Sequence, residues 1–244
     1  MKKIKTLFIQ LATPLAPDEI SQFRAAVIEA TDREHNIFHN HRSDNTYYYR
    51  YPLIQYKSVN RQAALFCLEE GTDLIHHFLG KQEISLRIGK RQEALSVDRV
   101  NLQQVLLQTW SSDIEYRLFD WQALNQKNYA QWQKLEKESL SKQVAFLEKI
   151  LTGNILSACK GMGFRVEERL TVKIRKLGRV SWRSFKGQSI RTFNIDFSVN
   201  LSLPEYIGLG KGASMGFGVL RTARKPKAKQ SPDILATELS NSKT

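Results

Sequence analysis

Phe193-Asn-Ile-Asp-Phe-Ser-Val-Asn-Leu-Ser-Leu203 runs through Pro204-Glu-Tyr206 into Ile207-Gly-Leu-Gly-Lys-Gly-Ala-Ser-Met-Gly-Phe-Gly-Val-Leu-Arg221, and these two pieces decide how the 244-residue chain is read. The first alternates strictly, with Phe193, Ile195, Phe197, Val199, Leu201 and Leu203 on one side, as a strand with one buried face does. The second holds five of the chain's thirteen glycines, Gly208, Gly210, Gly212, Gly216 and Gly218, and closes in a short apolar strand, Phe217 to Leu220. Backbone this free of Cβ atoms takes positive φ or lies close against something. Its N–H groups, with Lys211 and Ser214 in the run, suit the oxygens of a phosphate. A surface turn with no ligand remains the other reading. A nucleotide-binding P-loop does not fit, because Lys211 is followed by Gly212 where that motif needs Ser or Thr.

Working outward, Ile114–Leu118 alternates as an earlier strand, and residues 126–160 carry apolar side chains at helical spacing with a break near 137–141. Leu170, Val172 and Ile174 then oppose Thr171, Lys173 and Arg175. With the closing strand this makes a ferredoxin-like half whose second helix is shortened. The N-terminal half gives the same order more fully. Ile4–Leu11 reads as a strand, and a helix starts at Pro17 and buries Ile20, Phe23, Val27 and Ala30. Tyr47–Tyr56 is a run broken by Pro52 and hence an edge or bulged strand. Ala63–Leu68 is a third strand, a helix capped by Thr72 stops at Gly80, and Ile84–Ile88 is the fourth strand. The expected fold is α+β: two tandem ferredoxin-like (RRM-like) domains with antiparallel sheets. Their expected bounds are 1–89 and 113–223, joined by a connecting segment 90–112 and followed by a basic, disordered tail 224–244.

The net charge of +13 is unevenly spread. Residues 161–229 hold fifteen Lys and Arg against four Asp and Glu, whereas the first 160 residues hold twenty-one against eighteen. Such a concentration points to a polyanion. Lys173, Arg175, Lys176, Arg179, Arg183, Lys186 and Arg191 surround one turn, with Trp182 and Phe185 among them. Cations for phosphates and rings for splayed bases suit RNA. The alternative is a solvated basic hairpin with Trp182 anchored in the core. Cys67 and Cys159 sit in apolar surroundings and no Cys-x-x-Cys pair exists. The chain shows no signal peptide and no apolar span of the ~18 residues a membrane helix needs, so a cytoplasmic protein without a membrane partner is expected.

All five histidines lie in the first half. His76 and His77 fall among Leu74, Ile75 and Phe78 on a helix and read as structural. The others occupy Glu34-His-Asn-Ile-Phe-His-Asn-His-Arg42. His39 and His41, two residues apart, share a side in extended backbone. As metal ligands they lack a further His or Cys cluster, although Glu34 and Asp44 are near in sequence. As an acid–base pair they suit chemistry near neutral pH. RNA supplies that reaction: a neutral imidazole deprotonates a ribose 2′-OH that attacks its own phosphate, and an imidazolium protonates the departing 5′-oxygen. Arg42, Arg50, Tyr47, Tyr48 and Tyr49 are at hand for transition-state charge. Bare loop histidines remain the third reading.

Gly-Leu-Gly-Lys-Gly-Ala-Ser-Met-Gly-Phe-Gly resembles the glycine-rich motif of the RAMP superfamily of CRISPR proteins. Phe38-His-Asn-His41 followed by Tyr49-Arg-Tyr-Pro-Leu-Ile-Gln-Tyr-Lys57 resembles its precursor-CRISPR-RNA-processing endoribonucleases, in the subfamily with a closely spaced histidine pair after the first helix. The likeness runs from Ile4 to Arg221. It implies two ferredoxin-like folds and metal- and cofactor-independent cleavage within repeat RNA to a 2′,3′-cyclic phosphate and a 5′-hydroxyl. Dimerisation and association with CRISPR effector-complex subunits are further implications. His39 and His41 fall on the catalytic pair, and Tyr47 or Tyr48 on a supporting tyrosine. Lys173, Arg175, Lys176, Arg179, Arg183 and Lys186, with Gly208, Gly210, Lys211, Gly212 and Ser214, fall on RNA-binding elements. The motif also occurs in non-catalytic RAMP subunits that hold guide RNA, which stand as the alternative.

Overall fold

The computed structural model describes residues 1–31, 51–80, 84–185 and 187–223. Side chains are described for all of these except His76 and His77. The histidine segment with His39, His41, Tyr47 and Tyr48, residue Lys186, and the C-terminal tail lie outside the described residues.

The first unit begins with β1 (Lys2–Pro14), and Ala16, Pro17 and a single 3-10 turn lead into α1 (Ile20–Ala30). The Glu19 carboxylate accepts the Ala16 N–H at 2.8 Å and caps this start. Ile20, Phe23, Ala26 and Val27 are the buried stripe of α1. After Pro52 the chain forms β2 (Ile54–Val59), β3 (Gln62–Leu68), α2 (Glu70–Leu79), a ribbon of β4 (Ser85–Ile88) and β5 (Arg91–Ala94), and β6 (Val97–Leu107). The antiparallel sheet has the order β2-β3-β1-β6, with β2 at the edge where Pro52 predicts it.

Two expectations are corrected. Helix α2 starts at Glu70, so Thr72 is inside it and donates its hydroxyl to the Glu69 carbonyl at 2.8 Å instead of capping. The fourth sheet strand is β6, not Ile84–Ile88. Among the described residues strand β4 pairs only with β5, and its Leu86 and Ile88 fill the α1 side of the core. The place beside β1 goes to Val97–Leu107, from the segment expected to be a connection. Alternation at 84–88 reveals a buried face but says nothing of which backbone the strand bonds. The mixed residues of β6 are mostly exposed, so it joins mainly through backbone, and only its end, with Val105 and Leu107, reaches the core.

The second unit contains β7 (Thr109–Trp121), α3 (Gln126–Leu135), α4 (Leu140–Gly161), β8 (Val172–Phe185), β9 (Gln188–Leu201) and β10 (Val219–Thr222). Its sheet order, β10-β7-β9-β8, repeats the ferredoxin-like arrangement of the first unit. The break near 137–141 is a junction between two helices. In place of a second long helix stands a single 3-10 turn, Ala213–Met215.

The core has two parts. On the helix side of the first sheet, Leu7, Ile9, Leu11 and Leu65 meet Phe23, Val27, Ile75 and Phe78. On its other side Ile4, Phe8, Ala64 and Phe66 merge with the core of the second unit, including Leu203, Ile207 and Leu209. Phe8 stacks on Tyr206 with ring centroids 4.1 Å apart. The sheet face that an isolated RRM-like unit leaves open is therefore closed by the second unit. Cys67 and Cys159 are free and buried.

Packing at Gly218 is the tightest test of this design. Its φ is +62°, and a Cβ there stands 1.9 Å from the Leu209 carbonyl oxygen, whereas Gly187, at φ +74°, has open space. Gly218→Ala is expected to cost on the order of 2–6 kcal/mol by urea denaturation. Gly187→Ala should cost only about 1–2 kcal/mol, for backbone strain alone.

Candidate nucleic-acid interface

The glycine-rich run folds into a compact turn. Leu209 N–H donates to Gly218 O at 2.8 Å and Leu220 N–H to Ile207 O at 2.9 Å, which joins the two ends. Ile207, Leu209, Ala213, Met215 and Phe217 are buried, Lys211 is exposed, and Gly212 and Ser214 are half-buried. The loop is held from inside and shows its polar members to solvent.

The turn lies along β2. At one end Gly208 is bonded twice to the first unit: its N–H donates to Gln55 Oε1 at 2.8 Å, and its carbonyl accepts the Tyr51 hydroxyl at 2.5 Å. Gln55 Nε2 donates in turn to Tyr51 Oη at 3.0 Å and to the Pro52 carbonyl at 3.1 Å. Lys57 Nζ donates to Gln55 Oε1 at 3.1 Å. Gln55 and Lys57 are both fully buried. Burial holds the Tyr51 hydroxyl un-ionised and lowers the Lys57 amine from 10.5 to about 7. At the other end Gly216 presses on Ile20, since a Cβ there stands 2.5 Å from Ile20 Cδ1.

Arg183 ties this end together. Its guanidinium donates to Pro17 O at 2.9 Å and Gly216 O at 3.0 Å, lies 3.4 Å from the Asp120 carboxylate, and covers the Phe217 ring at 4.5 Å. This expected RNA contact therefore has its donors engaged between the two units. Arg175 is also engaged, donating to Ser198 Oγ at 3.1 Å beside Asp113. Lys173, Lys176 and Arg179 are exposed along β8, where the register slips between Ile174 and Lys176 and leaves Arg175 and Lys176 both outward. Trp182, set against the possibility of a core anchor, is 58% exposed, with the Arg191 guanidinium 5.9 Å from its ring. Arg191 itself is held by Glu136.

Tyr51, Gln55 and Lys57 lie within the Tyr49–Lys57 stretch that carries the family resemblance, but nothing in the sequence assigns them this contact with the turn. Alternation in Ile54-Gln-Tyr-Lys57 does not tell a solvent face from one that the second unit turns into an interior. The flank of the histidine segment can be followed to the same place. The described chain resumes at Tyr51, which is bonded to Gly208 and packed so tightly on α4 that a Cβ at Gly161 would stand 2.1 Å from Tyr51 Cβ. No group of three or more His, Cys, Asp or Glu suited to a metal occurs among the described residues. No helix among them is long and apolar enough to cross a membrane.

Comparison with known proteins agrees with this arrangement. The family model of the Cas6b N-terminal domain matches residues 2–105, and that of the Cas6b C-terminal domain matches residues 108–223. A crystal structure of Cas6b superposes with a TM-score of 0.82 at 28% identity, covering 91% of this chain and 100% of that one. A second structure, described as CRISPR RNA processing endoribonuclease Cas6b, gives a TM-score of 0.68 at 24% identity over 91% of this chain and 100% of that one. An uncharacterized protein of Methanocaldococcus jannaschii is 38% identical over 110 residues, which is 43% of this chain and 69% of that relative.

The buried lysine makes a stability prediction whose sign follows from proton counting. Between about 7 and 10.5 the unfolded chain holds a proton on Lys57 that the folded chain has released, so stability rises with pH across that window. Lys57→Met should therefore stabilise the fold by about 1–4 kcal/mol below the window. That advantage should fade as pH approaches 10.5, and thermal unfolding at several pH values checks it.

Proposed function

Because the chain belongs to the Cas6b family, we propose that it is an endoribonuclease that cleaves CRISPR repeat RNA within the precursor transcript, without a metal. The single observation that carries the reading is the attachment of Tyr51 to Gly208. It holds the residue that follows the segment bearing His39 and His41 against the glycine-rich turn, which supports a reading in which reacting groups and RNA-holding groups serve one site.

In this mechanism one imidazole of the His39–His41 pair takes the proton of the ribose 2′-OH, which attacks the neighbouring phosphorus in line. The other donates a proton to the 5′-oxygen as that bond breaks. The products are a 2′,3′-cyclic phosphate and a 5′-hydroxyl. Tyr47 or Tyr48 supports the charged phosphoryl oxygens. Gly210, Lys211, Gly212 and Ser214 steady the RNA backbone, while Gly208, expected among them, is buried with both its polar groups bonded and holds the turn in place. Exposed Lys173, Lys176 and Arg179 extend the path for phosphates along β8. Arg183 contributes by keeping turn and helix start together.

Incubation of the full chain with its repeat RNA in excess chelator tests the reading. Cleavage should persist, and should vanish when the ribose beside the scissile bond is 2′-deoxy; tight binding without any cut would instead mark a guide-holding subunit. His39→Ala and His41→Ala should each lower the single-turnover rate by roughly 10²–10⁴ with little change in affinity. Wild-type rates in both would remove the pair from the site. Replacing Lys173, Lys176 and Arg179 together with Gln should weaken binding and reduce the slope of log K against log salt by about 2.

A further inference from the structure

Among the described residues Lys57 is the only charged side chain that is fully buried, and nothing in the cleavage chemistry uses it. Among the described residues its one hydrogen bond goes to Gln55 Oε1, the same oxygen that receives the Gly208 N–H. No described carboxylate pairs with it, and desolvation is the whole cause of its lowered affinity for a proton. The segments around it offer none either. On β3 the residue opposite is Ala64, with Phe66 on the same face. The turn packed on β2 contributes Ala213, Ser214 and Met215, and its one titratable residue is the exposed, cationic Lys211. Tyr51 stays un-ionised, and Tyr56 faces the opposite side, toward Arg24. An apolar residue of the same length would fill this space without penalty, and a carboxylate would neutralise it. The site instead keeps a buried amine that has no counter-charge among the described residues, one side chain away from a turn whose outer surface suits phosphate.

We infer that Lys57 is a proton-linked anchor for the RNA: a phosphodiester laid on the glycine-rich turn supplies the missing counter-charge, so docking carries a proton from the buffer onto Nζ and release returns it. This rests on the turn being an RNA-binding surface. No covalent bond changes; the only species transferred is that proton. Its consequence is a pH dependence of affinity distinct from that of the histidines. Free Lys57 has largely lost its proton above about 7. Binding therefore weakens as pH rises beyond that point, by at most about tenfold per unit while one proton is taken up.

The test uses the full chain with His39→Ala and His41→Ala, which leaves the RNA intact and removes the titration of that histidine pair; the three remaining imidazoles are common to every variant compared. Repeat-RNA affinity is measured at constant ionic strength from about pH 7 to 9, and calorimetry in two buffers of different ionisation enthalpy counts protons. The expected result is a roughly tenfold or greater loss of affinity across that range, with net proton uptake on binding. Adding Lys57→Met should flatten both. Adding Gln55→Glu should also flatten both, because Lys57 is then charged before RNA arrives; this second variant decides the matter if Lys57→Met does not fold. Uptake that is absent, or that survives both substitutions, overturns the inference. Failure of the nuclease reading shows separately, as wild-type chain that does not cut the RNA; RNA that does not bind at all sinks both.

Discussion

Gly208 sits where no strand ladder reaches both of its polar backbone groups, and a buried peptide cannot leave them unpaired. Gln55 and Tyr51 from the other unit supply the partners. Much else follows from that requirement. For these bonds to form, the turn must lie flat along β2, which puts Gly216 against Ile20 and leaves Arg183 spanning from the turn to Pro17. Tyr206 then comes over Phe8, and the open face of the first sheet is sealed. What would be two separate RRM-like units becomes one body with a shared core.

That sealing also reassigns the charge. The basic excess of the C-terminal half reads as one surface, yet its members divide. Arg175, Arg183 and Arg191 are held by Asp113 and Ser198, by Asp120 and two carbonyls, and by Glu136. They brace strands and hold the units together. Lys173, Lys176, Arg179 and Lys211 keep their side chains outward. The field felt by a polyanion is the sum of both groups, but only the second meets it directly.

Local signals carried the elements well. Alternation in 193–203, helical spacing from 126 to 160, and Pro52 at an edge strand are each dictated by the residues concerned. What local signals lacked was the partner. Leu86 and Ile88 announce a strand with one buried side, and the backbone they bond is Arg91–Ala94 and not β1. Strand β6 earns its place by ladder hydrogen bonds that any sequence makes, so Val97–Leu107 looks like a linker. At the site, the glycines were legible because positive φ is a residue-level demand. Gln55 and Lys57 were not, because a polar side chain in a strand looks the same whether water or another domain covers it.

The Tyr51 and Gln55 bonds to Gly208 join residues 157 and 153 positions apart. A chain made from its N-terminus completes the whole first sheet, including the apolar face of Ile4, Phe8 and Phe66, long before residue 208 exists. Until then that face lacks the cover of the turn, and Tyr51 lacks the Gly208 carbonyl. Strand β10 closes the turn, so shelter for the first unit and the partner of Tyr51 arrive together, after every other described strand has been made. A ribosome stalled before the glycine turn would therefore present a first unit whose apolar sheet face still lacks the cover of that turn.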